Sequence, residues 1–126
     1  MIWFAVGAGG ALGSMARHGV NIFFSHVLER AVPYATGAVN LIGSAVIGLL
    51  AGLVATGRLH MSTELRTFVF VGILGGFTTF SSYMLDTFTL GHGGDHALAF
   101  WNVALQTGFG LAAIWIGYRL GVSAGP

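Results

Sequence analysis

Cysteine and lysine are both absent from this 126-residue chain, and only nine side chains carry a formal charge, five arginines and four carboxylates. Without cysteine there is no disulfide, iron–sulfur cluster or thiol chemistry. Charged residues make up 7% of the chain, against about 25% in a soluble domain. Too few charges remain to cover a water-facing surface of this size, which excludes an ordinary soluble globule. The net charge is +1 and no basic run occurs, which excludes a nucleic-acid binder. Disorder is excluded by the opposite excess, a hydrophobic content of 55%. What is present is apolar sequence and glycine. The mean hydropathy is +0.81, and 21 glycines are scattered among Leu, Val, Ile, Ala and Phe without a collagen-like period. Tightly packed transmembrane helices use glycine in this way. The chain is read as a single all-α membrane domain.

A helix needs about 20 apolar residues to cross the hydrocarbon core. Four stretches qualify, at 2–24, 33–56, 65–90 and 97–120. The second has no charge, and the fourth has only Arg119. The third is charged only at Arg66 and Asp86, near its two ends. The connections hold most of the other charges and the turn formers. Pro33 suits the start of the second helix, and Ser62-Thr63-Glu64 is capping chemistry for the third. A cleaved leader is not expected, because no basic region precedes the first apolar run. The glycines from Gly7 to Gly13 miss the dinucleotide-binding spacing, since Leu12 stands where its last glycine belongs.

Four crossings put both termini on one side, together with Arg58, Arg66 and Arg119, and leave Arg17 and Arg30 on the other. Three against two is almost no bias, so the positive-inside rule fixes no orientation. That near-balance is compatible with insertion in both directions and an antiparallel dimer, and equally with a single topology set by a weak bias.

Each span carries a polar or small-residue stripe. Gly7, Gly10, Ser14, Arg17 and Asn21 share a face of the first; Asn40, Ser44, Gly48 and Gly52 repeat every four residues on the second; Asn102, Gln106, Gly110, Ala113 and Gly117 share a face of the fourth. Unpaired amides in hydrocarbon cost several kcal/mol, so these faces must meet protein or a polar pathway. Arg17 lies roughly 22 Å along its helix, placed either to snorkel to lipid headgroups or to line an aqueous vestibule. The third span contains Gly72-Ile73-Leu74-Gly75-Gly76-Phe77-Thr78-Thr79-Phe80-Ser81-Ser82-Tyr83. Adjacent glycines weaken a helix by about 1 kcal/mol each, and hydroxyls can replace lost backbone partners. This is the composition of a helix broken at mid-membrane, which is tolerated only when buried or lining a polar cavity. Phe80 and Tyr83 lie one turn apart, and aromatic ring edges carry positive potential. No paired carboxylates, metal-ligand spacing or nucleophile–base set appears, so no enzyme is expected.

Gly75-Gly76-Phe77-Thr78-Thr79-Phe80-Ser81-Ser82-Tyr83 resembles the G-G-x-T-T-F-S-T-F signature of the CrcB/Fluc fluoride channel family. Gly9 to Arg17 resembles its first-helix motif, and Pro33, Thr36, Asn40, Gly43 and Ser44 resemble its second-helix motif. The resemblance implies a passive, fluoride-selective channel in a bacterial-type plasma (inner) membrane, built as an antiparallel, dual-topology homodimer with two pores. It implies that Asn40 donates to fluoride and that Phe80 and Tyr83 offer ring edges. Thr79 and Ser82 would lie in the hydroxyl lining, Gln106 in a polar track and Arg17 in a vestibule. A structural sodium ion at the dimer centre would take the backbone carbonyls of Gly75 and Thr78. Hydrogen fluoride enters cells as a neutral acid and dissociates, and the membrane potential would then drive the anion out. Three positions depart from the family's pattern: Tyr83 replaces the usual phenylalanine, Ala35 a common glycine, and Gly110 a frequent serine. A small multidrug-resistance-type exporter would need an acidic residue in its first helix, and this chain has none there. A non-transporting packing subunit would account for the glycines but not for the hydroxyl-rich break.

Overall fold

The computed structural model describes residues 1–124, all in helices and short connections. α1 spans Ile2–Val27 and α2 Tyr34–Ala55. The third span is composite. α3 (Thr63–Arg66) runs into a π-helical segment, Thr67–Leu74, and then α4 (Gly75–Phe77); the chain opens at Thr78 and Thr79 before α5 (Phe80–His92). α6 spans His96–Ser123. Helix ends fall within three residues of the four stretches read from the sequence. Among the described residues, three segments are both long and apolar enough to cross a membrane: Tyr34–Ala55, Thr63–His92 and His96–Ser123. The 26 residues of α1 reach about 39 Å, so α1 has the length of a span but falls short of the other three in apolar character.

Local chemistry accounts for the helix ends. The Ser62 hydroxyl accepts the N–H of Leu65 at 3.2 Å and caps α3. α2 begins directly after Pro33. Gly57 (φ 69°) and Gly94 (φ 89°) take the left-handed turns that follow α2 and α5, conformations that disfavour a side chain. Arg58 donates to the carbonyls of Gly121 (3.1 Å) and Val122 (2.6 Å), satisfying the end of α6. Arg30 and Asp95 pair at 2.6 Å between the two connections at the other end.

The interior is made of small residues and the exterior of large apolar ones. Val39 is the only large side chain that is fully buried among the described residues, while Trp3, Phe4, Phe88, Phe100, Leu111 and Trp115 are exposed. In lipid, apolar burial does not drive helices together; close approach of backbones does. α2 and α6 pack in this way. A Cβ on Gly48 would strike the carbonyl of Ile114, and one on Gly52 that of Tyr118; Gly117 and Gly121 face the carbonyls of Ala45 and Leu49. α1 meets the π-helical segment and α4 similarly, with Gly9 against Phe68 and Gly72, and Gly13 against Ile73. The face read for α1 holds in part: Ser14 Oγ donates to Gly76 O at 3.5 Å, Arg17 donates to Thr78 O at 3.2 Å and Asn21 lines a depression beside it, while the closest backbone approach lies beside this stripe. Gly9 and Gly13 are the buried glycines, Gly10 borders Gly76, and Gly7 faces open space.

Gly117→Val should therefore separate α2 from α6 and destabilise the detergent-solubilised protein by about 1–3 kcal/mol. Gly108→Ala, at a position with open space, should match or exceed the parent, because alanine favours helix by about 1 kcal/mol. Thermal unfolding followed by circular dichroism reads both.

Candidate functional site

The break in the third span falls one turn later than the glycine pair. Gly75 and Gly76 are helical, and Thr78 (φ −78°, ψ 159°) and Thr79 (φ −153°, ψ 119°) are extended. Gly76 serves packing, since it lies against the backbone of Gly10, whereas Gly75 is exposed. Hydroxyls then rebuild the ends around the gap. Thr78 donates its hydroxyl to Leu74 O at 2.9 Å. Thr79 caps α5 by accepting the N–H of Ser82 at 3.2 Å, and its own hydroxyl donates to Ser82 Oγ at 3.0 Å.

Opening the chain frees the backbone of Thr79, and Asn40 pairs with both of its groups. Thr79 N–H donates to Asn40 Oδ1 at 2.8 Å, and Asn40 Nδ2 donates to Thr79 O at 3.1 Å. An N–H donor on one side and a carbonyl on the other settle which amide atom is oxygen. The second Nδ2 proton goes to Gln106 Oε1 at 2.9 Å. Gln106 Nε2 donates to Asn102 Oδ1 (2.7 Å), Asn102 Nδ2 to Thr87 Oγ1 (2.8 Å), and Thr87 to the carbonyl of Tyr83 (2.8 Å). The result is a directed chain of donors from the break to α6 and back to α5. Gly37 of α2 lies against the Gln106 side chain. Asn102 is buried, and its place in the polar stripe of the fourth span was visible in the sequence. Thr87 was not singled out there, because a threonine bonding to the residue four before it gives no signal of its own.

Two depressions flank Thr79. One, about 330 Å³, is lined by Asn40, Ser44, Thr78, Phe80 and Tyr83 among others. The second, about 400 Å³, is lined by Arg17, Asn21, Thr36, Ser82 and Asp86 among others. Thr79 borders both. Arg17 does not snorkel outward: its guanidinium donates to the carbonyl of Thr78 at 3.2 Å. One carboxylate oxygen of Asp86 is buried in this second depression without a hydrogen-bond partner.

Phe80 and Tyr83 meet edge-on, with centroids 5.9 Å apart and planes at 69°. Tyr83 is buried, whereas Phe80 is 73% exposed. The Tyr83 hydroxyl turns away from its neighbour, donating to Val103 O at 3.3 Å and lying 3.2 Å from Thr107 Oγ1. The extra oxygen relative to phenylalanine is thus held by α6. The structure brings Asn40, Thr79, Phe80 and Tyr83 together at the first depression, with Arg17 and Ser82 on the far side of Thr79; Gln106 joins them only through its hydrogen bond to Asn40 and lines a separate, apolar depression with Gly37 and Asn102. Gly75 and Thr78 border the first depression.

Residues 4–118 match the family described as CrcB-like protein, Camphor Resistance (CrcB). Among curated relatives, the chain is 44% identical over 122 residues to "Fluoride-specific ion channel FluC 1" of Symbiobacterium thermophilum, covering 96% of this chain and 98% of that one. It is 42% identical over 116 residues to "Fluoride-specific ion channel FluC" of Allorhizobium ampelinum, covering 92% of each. A third relative, from Nitrobacter hamburgensis and also named "Fluoride-specific ion channel FluC 1", is 44% identical over 116 residues, 89% of this chain and 91% of its own.

The hydrogen bonds rank two substitutions. Tyr83→Phe removes two long bonds and leaves the ring, and should cost about 1 kcal/mol or less. Asn40→Leu strands the Thr79 N–H and the Gln106 oxygen, each worth about 1–3 kcal/mol when left unpaired. Parallel thermal melts should show the larger drop for Asn40→Leu.

Proposed function

The chain belongs to the CrcB-like family, whose curated relatives are named as channels and not enzymes, and from this membership we propose that it conducts fluoride passively across the membrane. The observation that carries the reading is the break at Thr78–Thr79, held open within an apolar span by the amide of Asn40. Irregular backbone at membrane depth is tolerated where it lines a polar cavity. Here it gathers amide, hydroxyl and ring-edge hydrogens, the groups able to replace water around a small anion. Asn40 supplies the amide, Thr79 and Ser82 the hydroxyls, and Phe80 and Tyr83 the ring edges. Gln106 continues the track, and Arg17 draws anions toward the second depression. Outward flow follows from the interior-negative potential, about 2.3 kcal/mol per charge per 100 mV, so the channel lowers cytoplasmic fluoride from the cell (inner) membrane.

The reading includes an antiparallel homodimer of four-span subunits, with α1 as the fourth crossing. Its support is the face around the break. Phe80 and Gly75 are exposed on the single chain, next to the uncharged but polar groups of Asn40, Ser44 and Thr78. Asn40 and the Thr78 hydroxyl are paired within the chain, but lipid offers no partner for the exposed Gly75 carbonyl on this face, and a second copy covers it. The near-equal division of arginines permits the opposite insertion of that copy.

A structural sodium ion at the dimer centre suits part of this donor set. The N–H of Thr79, which a continuous helix would direct to the Gly75 carbonyl, is taken by Asn40. Gly75 therefore offers a hard oxygen ligand at the exposed face. The Thr78 carbonyl already accepts Arg17, and a carbonyl oxygen has a second lone pair for a cation. Bound there, sodium would join the two breaks electrostatically. Replacing sodium by N-methylglucamine should then lower the melting temperature of the purified dimer; an unchanged value removes the ion from the reading.

Proteoliposomes loaded with fluoride should empty rapidly when potassium is allowed to carry the countercharge, while chloride-loaded vesicles retain their content. Equal passage of both halides, or none from a folded protein, defeats the proposal. Asn40→Asp should reduce fluoride flux by at least tenfold, since a neutral donor becomes an anionic acceptor worth about 4 kcal/mol of repulsion at 4 Å.

A further inference from the structure

Every Asn40 donor is occupied in the structure: one Nδ2 proton is held by Thr79 O and the other by Gln106 Oε1. An anion reaching Asn40 must displace one of these acceptors. The Thr79 carbonyl is fixed by the backbone and is bound back by the second half of the Asn40–Thr79 pair. The Gln106 oxygen is carried on a flexible side chain of α6 that reaches Asn40 from beside Gly37, outside the two depressions that flank Thr79. We propose that Gln106 is a resident competitor, holding the Asn40 donor when no ion is present and yielding it when fluoride arrives. The inference rests on the fluoride-channel reading and goes beyond it. Gln106 sets how tightly the anion is held, where the family-based expectation makes it only a further stretch of polar wall.

The chemistry of Gln106 fits this role. Its oxygen is a neutral acceptor, weaker than fluoride, so exchange favours the ion without trapping it. Its nitrogen is anchored at 2.7 Å on Asn102 Oδ1, and Asn102 is anchored on Thr87. The side chain thus stays within reach and reoccupies Asn40 when the ion leaves. A donor that is never left bare avoids the penalty of an unpaired amide in hydrocarbon. Conduction needs sites that bind well enough to admit an ion and weakly enough to release it, and a built-in competitor shifts that balance toward release.

The test uses two substitutions expected to move in opposite directions. Gln106→Met keeps the length and removes the oxygen, leaving one Asn40 proton free. The half-saturating fluoride concentration should fall about tenfold, the scale of one unpaired donor regained, and the maximal flux should fall because release slows. Gln106→Glu installs a charged acceptor that holds Asn40 harder, so the half-saturating concentration should rise. Isothermal titration of fluoride into the purified dimer should follow both shifts independently of transport, and size-exclusion elution checks that each variant is folded. A merely structural residue would move both variants the same way. Weaker or unchanged fluoride binding in Gln106→Met, with the parent still conducting, overturns the competitor role and leaves the channel reading standing. A folded parent that neither binds nor conducts fluoride overturns both.

Discussion

A backbone amide that leaves a helix inside hydrocarbon must find another partner, and here the partner is a single side chain. Asn40 accepts the N–H of Thr79 and donates to its carbonyl, pairing with one residue as a neighbouring strand would. Either group left bare in lipid costs several kcal/mol. The extended pair Thr78–Thr79 is therefore held open by an amide from a different helix. Without that amide the segment has two outcomes, to close into continuous helix or to leave polar groups bare. Everything the site contains is arranged around this opening: the cap on α5, the ring pair and the donor chain into α6.

For Asn40 to reach Thr79, α2 must lie close to the broken span, and for Gln106 to reach Asn40, α6 must lie close to α2. Glycine makes both approaches possible. Gly43 sits directly under the Thr78 methyl, and Gly48, Gly52, Gly117 and Gly121 bring the backbones of α2 and α6 into contact. On the other side, Gly9, Gly13, Gly72 and Gly76 do the same for α1 and the segment before the break. The glycine content is thus spent on distance, and the polar chemistry follows from that distance.

This explains which features could be read from the sequence. Long apolar runs fix the helices, and the hydroxyl cluster after Gly75-Gly76 points to an interruption in the third. The residue at which the chain opens was harder to read, because glycine has two uses. The stretch from Gly72 to Tyr83 read as broken without a stated position; the structure keeps Gly75 and Gly76 helical, with Gly76 packed against Gly10. The break falls at Thr78–Thr79, where side-chain oxygens satisfy the ends. In α1 several overlapping small-residue stripes were available, and only contact with the π-helical segment selects Gly9 and Gly13. The π-helical winding of Thr67–Leu74 carries no pattern that propensity or periodicity detects. The direction of the Tyr83 hydroxyl depended on Val103 and Thr107 of another helix, and no spacing within α5 contains that information.

The groove at the break is lined by uncharged residues, and this fits the handling of a small anion better than a positive wall would. Two unit charges 4 Å apart attract by about 4 kcal/mol at an effective dielectric of 20, deep enough to hold an ion rather than pass it. Amide, hydroxyl and ring-edge hydrogens contribute in smaller steps and can be shared among several neighbours. Among the described residues, Arg17 is the cation at the break, bound to the Thr78 carbonyl on the side of the second depression. There it stays tied to backbone, with the Asp86 carboxylate lining the same depression. The opening costs the chain a turn of helix, and in return it gains a row of neutral hydrogens that no unbroken apolar helix presents.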